Sequence, residues 1–329
     1  MRSERPSFRL PFLDPSIRTR SGLPAAAAIA LLALLGPLAC GGGDGPPVAV
    51  VRVEPREVTL AHSTVTDLQL GWDLTSDLGE HSGEPRVFVH LLDERGRLTR
   101  TFDHPLPGGW AEGERREYSV RIYQSALAPP LPPGSYTLTL GLYDAAGTRW
   151  PLDVEGEPAG EREYTVARVT VPSGPAEVPE LGFSPGWSPT LAGGDRQILA
   201  LRWLTGNGAL LVDEPSGTRV LWMQLHIPSA EAEGVRRIYR SGAGEPELPR
   251  VRVVSPCSGF EAFLTGPGSH EVSVPVAESE ERNRCVVRLE PNYAMVADGV
   301  EQETVMLQNL AWEQAPAPRD EAPESTPEG

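Results

Sequence analysis

Leu131-Pro132-Pro133-Gly134-Ser135-Tyr136-Thr137-Leu138-Thr139-Leu140-Gly141-Leu142-Tyr143-Asp144 holds the pattern that decides the fold. Proline presets φ and glycine accepts a positive one, so Pro132-Pro133-Gly134 reads as a turn. After it, Tyr136, Leu138, Leu140 and Leu142 alternate with Thr137 and Thr139, the period of two that gives a strand one buried and one solvated face. The same alternation lies upstream. Leu68, Leu70, Trp72 and Leu74 oppose Asp67, Gln69 and Asp73, and Tyr118, Val120 and Ile122 oppose Glu117, Ser119 and Arg121. Val87 to Leu92 is apolar on both faces except at His90, as a central strand is, and Asp93-Glu94-Arg95-Gly96 reads as its hairpin turn. Helical periodicity is nearly absent from Val48 onward. Seven or more short strands in about 120 residues predict a β-sandwich.

Downstream, Pro172-Ser173-Gly174-Pro175-Ala176-Glu177-Val178-Pro179 has no periodicity and reads as a seam. Alternation then resumes: Leu199, Leu201 and Trp203 oppose Ile198, Ala200 and Arg202, and Leu221, Met223, Leu225 and Ile227 oppose Trp222, Gln224 and His226. Further strands are expected at Val251 to Val254, Phe260 to Leu264, Val272 to Val276, Cys285 to Leu289 and Val305 to Trp312. Trp72, Trp203 and Trp312 read as core. The expected class is all-β, with sandwiches at 48–171 and 182–313 joined by a linker at 172–181. The acidic, Pro-rich residues 314–329 are too poor in apolar side chains to offset the entropy of ordering, so a disordered tail is expected there. No repeat relates the halves.

The amino-terminal 47 residues are of another kind. Arg2, Arg5, Arg9, Arg18 and Arg20 precede an apolar run from Leu23 to Ala39, and Cys40 follows it. A charged leader and then an apolar run is the order of a secretory signal. At 17 residues the run is at the short limit for a bilayer-spanning helix, which needs about 20. Residues 1–39 are therefore expected to be a signal peptide. Residues 40–47, with Gly41-Gly42-Gly43-Asp44-Gly45-Pro46-Pro47, read as a flexible tether. The segment resembles bacterial lipoprotein precursors, in which a small residue precedes a cysteine that is acylated and becomes the new first residue. That resemblance implies lipid attachment at Cys40 after cleavage at Ala39, with membrane anchoring in the cell envelope, at the outer membrane where there are two. Pro37 stands where the family usually has Leu, Leu38 where a small residue is commoner, and the charged leader is long.

Charge excludes one class of partner. All 29 basic residues are Arg, against 45 acids. Without the first 39 residues, 24 Arg face 43 acids, a formal charge of −19. Binding nucleic acid depends on releasing counterions to a basic face, so no nucleic-acid partner is expected.

Val87-Phe88-Val89-His90-Leu91-Leu92-Asp93, Gly96-Arg97-Leu98, Asp103-His104-Pro105, Gly109-Trp110, Gly113-Glu114, the Pro132-Pro133-Gly134-Ser135-Tyr136 turn and Gly141-Leu142-Tyr143-Asp144 follow one another in a familiar order. From Val51 to Val169 the chain resembles the immunoglobulin-like module appended to bacterial membrane glycosyltransferases of the protein-mannosyltransferase type. The resemblance implies a non-catalytic module, because the chemistry there belongs to membrane domains. The proteinase-inhibitor type of sandwich shares the Trp, Gly-Glu and Pro-Gly-x-Tyr pattern. Gly182-Phe183, Gly186-Trp187, Arg202-Trp203 and Val305 to Trp312 make the second half similar to a jelly-roll sandwich related to carbohydrate-binding modules. Ser188-Pro189-Thr190 stands where that family has an acid.

Side chains that could carry chemistry are few. In an exported chain Cys257 and Cys285 are expected to form a disulfide, with free buried thiols as the alternative. The six His, at 62, 81, 90, 104, 226 and 270, lack metal-ligand spacing, although His90 and His104 could meet in space. Asp93-Glu94 and Glu278-Ser279-Glu280-Glu281 lack the order of a calcium loop. There is no Gly-x-Ser-x-Gly nucleophile and no phosphate loop, and nothing nominates a glycosidase carboxylate pair, so neither an enzyme nor a cofactor is expected. Trp110, Trp150 and Trp187, in loops or beside a turn, are candidate sugar platforms, with core packing as the alternative. The expectation is a non-catalytic, lipid-anchored binding or scaffolding module that meets an envelope protein or glycan. A carbohydrate-binding accessory is the second reading, and an envelope hydrolase with no recognisable motif a distant third.

Overall fold

The computed structural model describes residues 45–76, 78, 84–108, 110–174, 176–193, 199–213, 218–229, 234–240, 248–277 and 284–314. The signal segment, Cys40, His81, Glu278 to Glu281 and the tail past residue 314 lie outside them. All regular structure among the described residues is β, as the alternation predicts.

The first sandwich packs two sheets. One holds Asp153–Val154, Ala49–Glu54, Thr64–Leu74 and Arg115–Tyr123 in that order. The other runs Pro158–Gly160, Glu163–Val171, Gly134–Tyr143, Arg86–Leu92 and Leu98–Thr101. The chain changes sheets right after its first strand, because Glu57–Thr59 pairs parallel with Glu163–Val171. Leu68, Leu70, Trp72 and Leu74 are all buried beside Leu138, Leu140 and Leu142, while Asp67 and Gln69 are exposed. At the Asp93 turn, Gly96 takes φ 71°, and one Asp93 carboxylate oxygen accepts from the amides of Arg95 and Arg97, each at 2.9 Å. Gly141 lies against Phe88 of the neighbouring strand. A Cβ there would overlap the Phe88 ring and stand 2.7 Å from the Arg162 carbonyl, so this strand position requires glycine.

The second sandwich faces the five strands Leu191–Gly193, Leu199–Leu204, Val305–Glu313, Arg219–Ile227 and Gly268–Val276 against Leu181–Phe183, Gly208–Asp213, Arg284–Pro291, Arg250–Ser255 and Phe260–Thr265. Leu221, Met223, Leu225, Val253, Val274, Val287 and Leu289 fill its core. Val235–Tyr239, Tyr293–Ala297 and Val300–Gln302 form a smaller sheet beside it.

The halves share backbone. Val305–Glu313 pairs with two strands of the second sandwich, and its end then pairs parallel with the first, Trp312 opposite Thr64 and Glu313 opposite Val65. One nine-stranded sheet thus runs through both. Leu127 and Ala128, from the first half, pack in the second core. Their segment is held by Ala126 N donating to Leu310 O at 2.7 Å and by Leu310 N donating to Ser125 Oγ at 3.2 Å. Each bond that crosses the seam fixes one sandwich on the other.

Trp72 and Trp312 are core residues as expected. Trp203 is not: it is half-buried and belongs to neither core. Trp222, on the polar-reading face of its strand, is instead fully buried, because the first sandwich covers that face.

Candidate functional site

A cleft of about 940 Å³ lies between the sandwiches, within the size range of ligand-binding clefts. Its first wall is the strand Arg115–Tyr123 with the segment from Thr101 to Pro107, and its second is formed by Trp222, Gln224, Glu271, Ser273, Gln308 and Asn309. Trp222 closes the inner end. Its ring centroid is 4.8 Å from that of Tyr123, which lies 5.2 Å edge-on from Phe102.

The polar groups are held in place by one another. His104 Nδ1 donates to the Phe102 carbonyl at 2.9 Å, which fixes the tautomer, and Nε2 then accepts from the Tyr118 hydroxyl at 2.9 Å. Burial pushes the His104 pKa down, so the imidazole is neutral at pH 7. Asn309 Nδ2 donates to the Tyr123 hydroxyl at 2.9 Å and to Gln224 at 2.7 Å. Burial, above all, pushes Tyr123 up to about 12.

Arg121 spans the cleft. Its guanidinium lies 3.6 Å from Asp67, 3.4 Å from Glu271 and 3.4 Å from Glu313, donates to Ser273 Oγ at 3.2 Å, and stands 5.6 Å from the Trp222 ring centroid. With His104 neutral, it is the only cation among the described residues lining the cleft, against Asp67, Asp103 and Glu271. The net negative lining disfavours anions.

A second polar cluster adjoins it. His90 lies 3.6 Å from Asp103 and 3.7 Å from Glu163, and the buried Thr139 hydroxyl donates to Glu163 at 2.6 Å. These contacts, His90 first, hold the Glu163 carboxyl down at about 2. A carboxylate depressed in the folded state stabilises the fold above its unfolded pKa, near 4.5, and that stability is lost as pH falls toward 2. We expect up to about 3 kcal/mol to be lost over this window, and Glu163→Gln to flatten the loss in urea melts at pH 5, 4 and 3. An unchanged acid limb in the variant would assign acid sensitivity elsewhere.

The residues singled out from sequence are dispersed. Cys257 and Cys285 do come together, with sulfurs in contact and Cα atoms 5.9 Å apart, which fits a disulfide. Trp110 packs on the first core and donates to Ser76 O at 2.9 Å, and Trp150 packs on the same core. Trp187 packs on the second core, edge-on to Phe183, and donates to Ala209 O at 3.1 Å. All three are half-buried and none lines the cleft. His90 and His104 are drawn to different partners, and among the described residues no three His, Cys, Asp or Glu side chains gather as a metal site.

Sequence reading missed Tyr118, Arg121, Tyr123, Gln224 and Asn309 as a group, since each reads as one face of an ordinary strand. The signal that could have found them is Trp222: a tryptophan among the polar positions of an alternating strand marks a covered outer face. Comparison with known proteins finds no matching family and no matching curated sequence.

Proposed function

We propose that this chain is a non-catalytic, lipid-anchored protein of the cell envelope that acts as a binding or scaffolding module. The observation that carries the reading is the shared strand Val305–Glu313: it makes two sandwiches one stiff body with a polar cleft of fixed shape. Cys40 and the Gly-rich residues after it would tether that body to a membrane. The cleft offers preset hydrogen-bonding groups, and its titratable groups are tied up with neighbours, which suits holding a ligand better than turning one over.

The immunoglobulin-like reading of the first half has two supports. Its first strand divides between the two sheets, and the Tyr136 hydroxyl donates to the Pro132 carbonyl, four positions upstream, at 2.8 Å, the corner bond of such sandwiches. The jelly-roll reading of the second half draws on its two facing five-stranded sheets.

Labelling cells with a palmitate analogue tests the anchor. Wild-type protein is expected to carry label in the membrane fraction, and Cys40→Ala to lose it and leave that fraction. Equal labelling of the two would refute acylation at Cys40.

A further inference from the structure

The cleft has a feature that a pocket between two ordinary faces lacks: it is bordered by two free sheet edges. Among the described residues, Arg115–Tyr123 pairs only with Thr64–Leu74, and Gly268–Val276 only with Arg219–Ile227. The cleft is lined by the consecutive residues Tyr118, Ser119, Val120 and Arg121, and across from them by Glu271, Val272 and Ser273. Neighbouring residues of a strand point to opposite faces, so a space that touches them all sees each strand from its edge. These two strands end one path of paired strands that curls through Thr64–Leu74, Val305–Glu313 and Arg219–Ile227. The path encloses Val65, Tyr123, Trp222 and Ala311, and its two ends do not pair with each other.

The register tells which backbone groups are free. Leu74 N donates to Glu114 O and Gln124 N to Thr64 O, each a bond of the ladder between Thr64–Leu74 and the strand Arg115–Tyr123. Bonded pairs alternate along an antiparallel ladder, so they fall on the even-numbered residues of Arg115–Tyr123. Glu117, Ser119 and Arg121 therefore turn their N–H and C=O groups outward from the sheet, and Ser119 and Arg121 line the cleft. Free edges of this length are usually blunted or covered.

We propose that this cleft binds an extended, basic peptide segment as an added β-strand, about five residues of it pairing with Glu117 to Arg121 and passing beside Gly268–Val276. The charge of the occupant follows from the lining: Asp67, Asp103 and Glu271 exceed Arg121, so basic side chains are complemented and acidic ones repelled. Backbone pairing supplies the attachment, and the half-buried rings of Tyr118 and Tyr123 receive apolar side chains of the added strand. This rests on the reading of the chain as a binding module and names the chemistry of its partner.

The test uses the full chain and synthetic octapeptides of alternating Val and Arg. One analogue has alternate backbone nitrogens methylated, and a second replaces Arg by Glu. Titration calorimetry is expected to show binding of the Val/Arg peptide, at least tenfold weaker for each analogue. Hydrogen exchange should slow at the amides of Glu117, Ser119 and Arg121. Ser119→Pro is the matching protein variant: its nitrogen makes no ladder bond, so the fold tolerates proline there, and peptide binding should fall tenfold or more. Equal binding of the methylated peptide, no binding of the Val/Arg peptide, or slowed exchange with a chitin hexasaccharide instead would overturn the proposal. If Ser119→Pro does not fold, the methylated peptide still decides. Loss of peptide binding with Cys40 labelling intact would sink this inference alone, whereas loss of labelling with binding intact would sink the anchor alone.

Discussion

Trp222→Ala is expected to destabilise the protein by about 3–5 kcal/mol, the range for emptying the site of a buried large aromatic. The ring is fully buried beside Val65, Tyr123 and Ala311, and its Nε1 donates to Glu271 at 3.2 Å. Those neighbours come from both halves of the chain, so the cavity opens at the seam rather than in either core. The arrangement also leaves Arg121 without the ring it lies over and Glu271 with one donor fewer. Trp203→Ala is the control: that side chain is half-buried and outside both cores, so its loss should be well below that of Trp222→Ala. Urea unfolding at pH 7, followed by circular dichroism, measures both. Equal losses, or less than about 1 kcal/mol for Trp222→Ala, would mean that the seam carries little of the stability. Because the sheet is continuous, wild-type protein should unfold in one transition, and weakening the seam is the change most apt to split it in two.

The same residue shows where reading from sequence stops. Alternation located the strands because a buried face and a wet face leave a period-two imprint on a strand, and Leu68 to Leu74 bear this out directly, whereas from Tyr136 to Leu142 the leucine face is buried as expected but Thr139 on the opposite face is buried as well, covered by its bond to Glu163. Turn chemistry was legible for the same local reason at Asp93 to Gly96 and Pro132 to Gly134. Burial of Trp222 was not, because alternation states which side of a sheet a residue is on and not what lies against that side. The cleft is a product of long-range pairing, Trp312 with Thr64 and Glu313 with Val65, between positions about 250 residues apart. No periodicity within either strand encodes that meeting. Trp203 errs in the opposite direction: it stands in a series with leucines, yet it is the other face of its strand that packs on the second core, with Ala200 and Leu204 buried there. The Cys257–Cys285 contact was legible since, of the three Cys, Cys40 lies in the amino-terminal segment and only one pair is left in the β-rich part of the chain.

That pair supports the second large effect. The cysteines close a loop across 28 positions, for which loop-closure entropy gives a stabilisation of roughly 3.6 kcal/mol. In the native protein the link joins the Arg250–Ser255 hairpin turn to the Arg284–Pro291 strand, and these strands already pair, Val254 opposite Arg288. Few native contacts are therefore added by the bond, and its effect falls on the unfolded chain, which it keeps compact. The Cys257→Ala, Cys285→Ala double variant should accordingly lose about 2–4 kcal/mol while keeping the wild-type circular dichroism spectrum. Its urea m-value should rise, because an uncrosslinked chain exposes more surface on unfolding. Wild-type protein treated with dithiothreitol should match the variant. The double variant also removes a buried sulfur from beside Ser255 and Val287, so part of a loss could come from packing; the m-value separates the two, since a cavity lowers stability at constant m. Alkylation of both thiols in unfolded but unreduced protein, with no change in m for the double variant, would show that these residues act as buried thiols and not as a link.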